Sequence, residues 1–503
     1  MAVNFAIFIS VFSALGGLLF GLDVGYIAAI IECASFKRDV VHLKNWNDPQ
    51  AQVSGSISGF VVGIFSLGCI IASFPVFSAY FLDTWGRKAS LCLGTLVFSV
   101  GAILQAAAFS TTQMLTGRLI AGLSIGLLSN VVALYQSELS PASMRGSLTS
   151  IYQLMITVGI FTASFLNWML VEGENGWRLA ILVQLVPASA LLLGMLCLPR
   201  SPRWLVNRGH FEEARDVLKS LRDSDAEADD EFQEIVASVE AVKIFGEPLW
   251  TELFEGRVAK LAALGIALAL LSQLCGMNAF MYFGPRIFAA AGFAPVRFQM
   301  LITGVNVVAT FPAIILADRC GRTALLMWGA LGMTIASIIM GATGNSAFSK
   351  TSLGGLASDS TVAPKIIMVC VIVFCASFAA SWGAMVWVYC AEIFPLKHRS
   401  RCMGLTTTAI WSGNYIIAQF TPMLLESIGF STFYIFAAFS FIGLLLSLWI
   451  PETKGVLLEH INRLFDEKFG VEDTMHSINS GMGLRTNPIT KVSSVYGTTA
   501  SSS

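Results

Sequence analysis

Twelve long apolar blocks constrain this chain of 503 residues more than any other feature of its sequence. A helix of about 20 apolar residues crosses the hydrocarbon core of a bilayer, which is about 30 Å thick. We number the blocks as spans 1 to 12: 5–31, 53–80, 89–110, 112–136, 146–171, 178–198, 258–290, 297–317, 323–345, 365–390, 403–425 and 431–450. Only 13% of the residues are charged, too few to cover a soluble protein of this size. The blocks therefore predict a protein that crosses a membrane many times.

The spans are predicted to be helices. Lipid offers no partner to backbone N–H and C=O groups, so a crossing segment is either a helix or a strand of a closed barrel. Strands of a barrel alternate apolar and polar residues, and this period of two is not visible in the blocks. We therefore expect an all-α membrane protein.

The distribution of basic residues predicts the orientation. Span 1 follows a nearly uncharged start and lacks the basic leader of a cleaved signal peptide, so we interpret it as a retained transmembrane helix. If both termini are cytoplasmic, most of the 31 lysines and arginines fall on the cytoplasmic side. This is the bias that the positive-inside rule describes. We expect cytoplasmic termini.

Metal, cofactor and enzymatic functions have little support in the sequence. Most of the ten cysteines fall inside spans, and the five histidines are scattered over loops and tail without the spacing of metal ligands. Gly122, Ser124 and Gly126 match the G-x-S-x-G motif of hydrolases, but they lie inside span 4, and no span contains a histidine. We expect no metal, no cofactor, no nucleic-acid partner and no enzymatic activity.

Short motifs at the cytoplasmic ends of the spans occur twice, in the same order. The first half has Asp83, Gly86 and Arg87 after span 2, Glu138 and Arg145 after span 4, and Pro199 after span 6; the second half has Asp318, Gly321 and Arg322 after span 8, Glu392 and Arg399 after span 10, and Pro451 after span 12. Three paired motifs indicate a duplication of six spans. We predict an N-terminal domain over 1–200, a cytoplasmic linker over 201–257, a C-terminal domain over 258–452 and a cytoplasmic tail over 453–503.

The polar segments outside the spans differ in character. In the linker, apolar residues recur at helical spacing, which predicts a short amphipathic helix; they are Phe211, Ala214, Val217, Leu218 and Leu221. A polar insert over 346–364 lengthens the outer loop between spans 9 and 10. After about residue 470 the tail is rich in Ser, Thr and Gly, which predicts disorder.

Asp23 in span 1 and Arg118 in span 4 are the ionisable residues that lie deep inside the predicted spans. A charge at that depth is costly, so a functional role is the first expectation. The alternative is a fixed structural ion pair.

The motifs together resemble those of the sugar porter family of the major facilitator superfamily, in its eukaryotic, fungal-like form. The matching residues run along nearly the whole ordered chain and include Gly16, Gly17, Phe20, Gly21, Asp23, Gly117, Arg118, Tyr135, Glu138, Trp177, Arg178, Ser201, Pro202, Arg203, Gly276, Pro451, Glu452 and Gly455. The resemblance implies twelve helices in two pseudo-symmetric six-helix bundles, with a sugar site between them near the bilayer midplane. It also implies transport by alternating access in the plasma membrane.

The resemblance assigns the sugar-binding side chains residue by residue: Gln153 in span 5, Gln273 and Asn278 in span 7, Asn306 in span 8, Trp387 in span 10, and Trp411 and Asn414 in span 11. Amides both donate to and accept from hydroxyls, and an indole covers the apolar face of a sugar. The alternative is that these amides only bond helix to helix. The chain departs from the family pattern at Ser272, where many members have glutamine, and at Ala133, Ala384 and Cys390, where many have proline.

The resemblance also implies a coupling mechanism. Proton-coupled members have an acid at the position of Asp23 and an arginine at that of Arg118, so we expect monosaccharide–proton symport, with the proton as coupling ion. The alternatives are a passive hexose uniporter and a sugar sensor without transport.

The duplicated cytoplasmic charges have a predicted role as a gate. Ion pairs between the two halves, with Glu138 beside Arg145 and Glu392 beside Arg399, would hold the inner side shut and break when it opens. The other members of this set are Asp83, Arg87, Asp318 and Arg322. The alternative is that all of them are solvated helix ends.

Overall fold

The computed structural model of the chain describes residues 2–46, 48, 52–141, 145–245, 249–290, 293–350, 356–357, 362–395, 398–454, 465 and 468. One compact unit covers Met1–Gly455 and a second covers Val456–Ser503. In the second unit the described residues are Phe465 and Lys468, both helical. The predicted disorder after about residue 470 lies outside the described residues.

The first six spans are helical. Span 1 consists of α1 (Ala2–Ser13) and α2 (Leu15–Glu32), followed by α3 (Ala34–Asp39). Spans 2 to 6 consist of α4 (Gly55–Ser73) with α5 (Pro75–Thr84), α6 (Gly86–Ala106), α7 (Thr111–Leu139), α8 (Arg145–Leu170), and α9 (Gly176–Leu182) with α10 (Leu185–Cys197). Pro75 starts the second segment of span 2 and fits there because the first turn of a helix leaves its N–H groups unbonded.

The linker contains three helices, α11 (Pro202–Asn207), α12 (Phe211–Leu221) and α13 (Asp225–Phe245), and a 3-10 turn (Thr251–Phe254). The predicted amphipathic helix is confirmed as α12, which buries Ala214, Leu218 and Leu221. Arg222 then donates to the carbonyls of Leu139 and Ser140 at the end of span 4, at 3.2 and 3.4 Å. The last carbonyls of a helix have no intrahelical partner, so this arginine caps span 4 and docks the linker on it.

The second set of spans is helical as well. Spans 7 to 9 consist of α14 (Gly256–Leu274) with α15 (Met277–Ala290), α16 (Pro295–Cys320) and α17 (Arg322–Ala347). Spans 10 to 12 consist of α18 (Ala363–Ala379) with α19 (Trp382–Ile393), α20 (Arg399–Ile428) and α21 (Thr432–Trp449). Within the polar insert, β1 (Ser349–Lys350) pairs antiparallel with β2 (Leu356–Ala357).

The structure confirms the predicted fold class. Among the described residues, ten helical segments are long and apolar enough to cross a membrane. The last of them, Arg399–Trp449, contains spans 11 and 12, which turn at a 3-10 helix over Gly429–Ser431. The 26-residue helix Pro295–Cys320 accounts for span 8. The division into two six-helix domains stays a prediction, because Met1–Gly455 forms a single compact unit.

Close helix contacts hold the bundle together. At Gly122 in span 4, a Cβ would lie 2.1 Å from the carbonyl oxygen of Phe65 in span 2. At Gly21 in span 1, it would lie 2.1 Å from the carbonyl oxygen of Ile156 in span 5. Lipid tails supply no hydrophobic drive between helices, so association depends on such close packing. Span 2 packs on span 11 as well as on span 4, which puts it between the two halves.

Candidate functional site

Asn414 in span 11 is the centre of a buried polar contact between three spans. Its Oδ1 accepts hydrogen bonds from Ser66 Oγ of span 2, at 2.8 Å, and from Tyr282 Oη of span 7, at 2.9 Å. Buried polar atoms need partners, and the two donors satisfy this oxygen. A residue predicted to bind substrate therefore also connects the first half of the chain to the second.

Span 7 is interrupted at the predicted binding residues. Gly276 has φ = +98°, a conformation that glycine adopts readily and that separates α14 from α15. Across this break, Asn278 Nδ2 donates to Gln273 Oε1 at 2.5 Å, and Gln273 Nε2 donates to Ser272 Oγ at 3.2 Å. The serine that departs from the family pattern thus supplies an acceptor to the neighbouring amide. A broken helix of this kind is where transporters expose polar groups to a ligand.

The two predicted tryptophans have different surroundings. Trp411 is fully buried, with its ring centroid 4.9 Å from that of Phe20 and 5.9 Å from that of Phe65. Trp387 packs against a small cluster formed by Ala269, Ala409 and Ile410. Trp411 therefore belongs to the interface between spans 1, 2 and 11, whereas Trp387 lies beside spans 7 and 11.

The remaining predicted residues are placed without direct polar contacts to this group. Gln153 in span 5 is partly exposed, and its amide has no side-chain hydrogen bond to any residue that the structure describes. Asn306 in span 8 is buried, and its backbone carbonyl accepts a hydrogen bond from Thr310 Oγ1 at 2.7 Å. Spans 5 and 8 pack on each other. The assignment of all seven residues to one ligand site stays a prediction.

Asp23 and Arg118 meet, and two further side chains join them. Arg118 Nη1 lies 3.4 Å from Asp23 Oδ2, with side-chain exposures of 0% and 1%. Tyr26 Oη accepts from Arg118 Nη1 at 2.9 Å and is within 3.2 Å of Asp23 Oδ1, and it also contacts Gln105 Oε1. The sequence analysis missed Tyr26, although its position one turn after Asp23 puts both on one helix face.

Span 2 connects this charge pair to the polar group around span 11. The guanidinium carbon of Arg118 lies 5.0 Å from the ring centroid of Phe65, within cation–π range. Phe65 also packs edge-on against Trp411, and the next residue, Ser66, donates to Asn414. The two predicted sites are therefore in contact through two consecutive residues of one helix.

The contacts at the predicted cytoplasmic ends of the spans repeat between the halves. Arg87 donates to Glu138 at 2.8 Å, as Arg322 does to Glu392 at 3.0 Å. Each carboxylate also accepts a hydrogen bond from a hydroxyl just beyond the last span of its half: Ser201 donates to Glu138 at 2.5 Å, and Thr453 to Glu392 at 2.6 Å. In each half a tyrosine donates to a proline carbonyl: Tyr135 to Pro199 at 2.7 Å, and Tyr389 to Pro451 at 2.8 Å. Three kinds of contact, each at matching positions, agree with the duplication read from the sequence.

These cytoplasmic pairs differ from the predicted pairing. Glu138 and Glu392 bind arginines of adjacent spans in their own half, and Arg399 donates to the carbonyl of Phe394 at 3.4 Å. The reason is proximity, because Arg87 begins the helix that packs beside span 4. The side chains of Arg145 and Asp318 lie outside the described residues. A gating role between the halves stays a prediction.

Glu452, directly after span 12, binds the beginning of span 9. It accepts hydrogen bonds from the backbone N–H groups of Arg322, Thr323 and Lys454 and from the Thr323 hydroxyl, at 2.6 to 3.0 Å. Burial alone would raise the pKa of Glu452, but these hydrogen bonds outweigh it and hold the pKa below its ordinary value of 4.5. The carboxylate therefore satisfies the first N–H groups of α17.

At the predicted outer side, Arg286 of span 7 joins the two halves. Its side chain is only 7% exposed, and its Nη2 donates to the carbonyl of Val53 at 2.6 Å. Its Nε lies 3.5 Å from Glu32, and its Nη1 lies 3.6 Å from Glu426. Val53 and Glu32 belong to the first half, and Glu426 to the second. The sequence analysis missed this residue, although an arginine near the end of an apolar span was the available signal.

Comparison with known proteins gives one consistent result. A sequence model of the family described as "Sugar (and other) transporter" matches residues 9–465. The galactose-proton symporter of Escherichia coli K12 is 36% identical over 463 residues, which cover 91% of this chain and 93% of that protein. A hexose transporter of Saccharomyces cerevisiae is 33% identical over 465 residues, 90% of this chain and 84% of that one.

A solved structure shows the same similarity. The proton:xylose symporter bound to 6-bromo-6-deoxy-D-glucose matches with a TM-score of 0.75 and 26% sequence identity, covering 92% of this chain and 99% of that one.

We expect Glu452→Gln to lower the stability of the protein at neutral pH. A depressed pKa means that the ionised Glu452 stabilises the fold above pH 4.5, and that this contribution disappears as the pH falls below that value. The difference in apparent melting temperature between wild type and variant should therefore narrow on acidification. A difference that is constant from neutral to acidic pH would contradict this account.

We expect Arg286→Gln to open the outer side. The change removes the charge that contacts both halves there, so a cysteine introduced at the buried Ser58, near the outer end of span 2, should react faster with an impermeant maleimide. The assay needs a background in which the exposed Cys197 and Cys320 are replaced.

The control for that experiment is Arg38→Gln. Arg38 pairs with Asp39 at 2.8 Å and with Glu174 at 3.8 Å, both in the first half. Equal labelling rates in the two variants would mean that Arg286 does not hold the outer side closed.

Proposed function

This chain belongs to the sugar transporter family, and on that premise we propose that it takes up a monosaccharide by alternating access, in symport with a proton. The family makes it a multi-pass membrane protein that carries sugar and not an enzyme. The proposal adds the kind of sugar and the coupling ion. Two similar proteins are proton symporters by name, one of galactose and one of xylose, which supports both additions.

The observation that supports the coupling is that span 2 contacts both the charge pair and span 11. Asp23 and Arg118 are buried deep in the bundle, where an ionisable pair needs a functional reason or a fixed structural partner. Phe65 touches both Arg118 and Trp411. A change in the protonation of Asp23 would therefore alter the surroundings of residues that we assign to the sugar site.

In this mechanism the sugar hydroxyls bind to the amides of spans 5, 7, 8 and 11. Gln273 and Asn278 bond to each other through one donor and one acceptor, which leaves the second N–H of each amide and the oxygen of Asn278 for a ligand. The side-chain amide of Gln153 has both N–H groups and its oxygen available for a ligand. Trp387 and Trp411 supply apolar faces for the sugar ring.

Alternating access requires contacts that exist on one side at a time. Arg286 joins the halves at the outer side, while the described cytoplasmic pairs stay within each half. We assign this arrangement to an inward-facing state. In the outward-facing state the contacts of Arg286 to Val53 and Glu32 would break, and cytoplasmic charges would join the halves instead.

The proton step follows from the same geometry. In the outward-facing state a proton from the outer solution binds to a carboxylate oxygen of Asp23, which neutralises the acid and weakens its attraction to Arg118. Sugar then binds more tightly, because proton and sugar must reinforce each other's binding reciprocally. After the switch, the proton leaves to the cytoplasm and the ion pair forms again. The proposal includes no other cofactor, and it places both termini in the cytoplasm and the protein in the plasma membrane.

The decisive experiment is proton flux into vesicles that contain the purified protein, measured when sugar is added at a fixed membrane potential. We expect a proton to enter with each sugar, and Asp23→Asn to abolish accumulation of sugar against its gradient while exchange down the gradient continues. Asp229→Asn is the control, since Asp229 pairs with Arg215 on the surface of the linker. Sugar flux without proton flux in the wild type would make the protein a uniporter with a structural ion pair.

The sugar site has its own test. Asn278→Ala should weaken sugar binding by about 1–3 kcal/mol, because it leaves a substrate hydroxyl and the amide oxygen of Gln273 without a partner. The control is Asn345→Ala, since the Asn345 amide bonds to Ser431 at the outer end of span 9. Titration of both purified variants with candidate monosaccharides gives the affinities. Wild-type affinity in Asn278→Ala would remove this residue from the site.

A further inference from the structure

The hydroxyl of Tyr26 lies between the two charges of the buried pair. It accepts from Arg118 Nη1 at 2.9 Å and reaches Asp23 Oδ1 at 3.2 Å, whereas the direct distance from Arg118 Nη1 to Asp23 Oδ2 is 3.4 Å. Gln105 Oε1 is a second acceptor in contact with the same hydroxyl. Because a phenol carries a single proton, it donates to Asp23 or to Gln105 but not fully to both.

We propose that Tyr26 is a positioning residue of the proton site, whose hydroxyl donates to Asp23 when the carboxylate is charged and turns to Gln105 when it is neutral. The hydroxyl oxygen accepts from Arg118 in both states. This inference rests on the proposed proton symport and extends it. The tyrosine keeps its own proton throughout, and the transported proton forms and breaks a bond only with Asp23.

The need for such a residue comes from Arg118. Its side chain is fully buried, its Nε has no hydrogen-bond partner among the described residues, and its Nη2 reaches only the carbonyl of Val62, at 3.5 Å. When Asp23 takes up a proton, a buried guanidinium loses its counter-charge, which is strongly unfavourable. A phenol oxygen that stays bonded to the guanidinium offsets part of that loss.

The surrounding helices hold Tyr26 and Gln105 in position. Asn167 of span 5 donates to the carbonyl of Tyr26 at 2.9 Å, and Gln105 donates to the carbonyl of Gly117 at 3.4 Å. This second bond directs the oxygen of the Gln105 amide toward the tyrosine. The residues are thus fixed, and only the hydroxyl proton has to change direction.

Other titratable groups face the pair from neighbouring spans. Cys69 of span 2 and Tyr282 of span 7 are close enough to interact electrostatically with it. Thiols and phenols are neutral from about pH 5 to 7, where the experiment is done. A change in the pH dependence of transport in this range therefore reports on Asp23 and its partners.

The test is the pH dependence of sugar uptake by vesicles containing Tyr26→Phe. In the charged state the hydroxyl donates to the Asp23 carboxylate and so favours the charged form, which means that its loss favours the protonated state. The hydroxyl accepts from Arg118 in both states, so that bond does not decide the balance between them. We expect the midpoint of uptake to shift to more alkaline pH by about one unit. At a pH below that midpoint, the affinity of the variant for sugar should match that of the wild type.

Gln105→Leu is the second variant and Tyr135→Phe the control. Leucine removes the acceptor that the hydroxyl needs when Asp23 is protonated, so the midpoint of this variant should move in the opposite direction, to acidic pH. The hydroxyl of Tyr135 donates to the carbonyl of Pro199 at the inner end of span 4, and the loss of this hydroxyl should leave the midpoint unchanged.

An unchanged or more acidic midpoint in Tyr26→Phe would overturn the inference. If Tyr26→Phe binds no sugar and so has not folded, Gln105→Leu decides, and an unchanged or more alkaline midpoint in that variant would overturn the inference. A wild type that moves sugar without protons would instead refute the proposed symport, and that result is visible before any variant is measured.

Discussion

The hydrocarbon core of the membrane supplies no partner to a polar group, and this constraint explains most of the structure. Every crossing segment is helical because a helix satisfies its own backbone. Polar side chains inside the bundle must then find partners in their own helix, as Thr95 does with the carbonyl of Leu91, or in other spans, as Asn414 does with Ser66 and Tyr282. The same requirement brings Asp23 and Arg118 together, since either charge alone would be too costly at that depth. Such contacts between spans fix how the helices lie against one another.

Span 2 has a special position among these contacts because it packs on both halves. Gly122 lets its backbone approach span 4 closely, and Phe65 and Ser66 reach both the charge pair and span 11. In the proposed symport, proton and sugar influence each other through an element whose arrangement depends on both. Span 2 contacts both predicted sites directly, so the proposed coupling requires no long chain of intermediate residues.

The sequence predicted what depends on local pattern and on repetition. Long apolar blocks were enough for the twelve helices, duplicated motifs indicated two related halves, and two isolated charges indicated the buried pair. The partners of polar side chains were less accessible. Tyr26, Gln105 and Arg286 matter because of which helix approaches them, and neither hydropathy nor spacing contains that information. For the same reason the cytoplasmic charges were predicted to pair between the halves, whereas Glu138 and Glu392 bind arginines of their own half.

The outer and inner contacts differ in kind, and the difference bears on how the protein switches. At the inner side each half stabilises its own carboxylate with an arginine and a hydroxyl, so these pairs can survive a movement of one half against the other. At the outer side one nearly buried arginine contacts both halves, so its contacts cannot survive that movement. A carrier needs two states of similar free energy, because a ligand shifts their balance only by its difference in affinity for them. In the proposed alternating access, a single arginine can be hydrated as the outer side opens, which would keep this energy difference small, while the duplicated inner pairs would keep each half rigid as it moves.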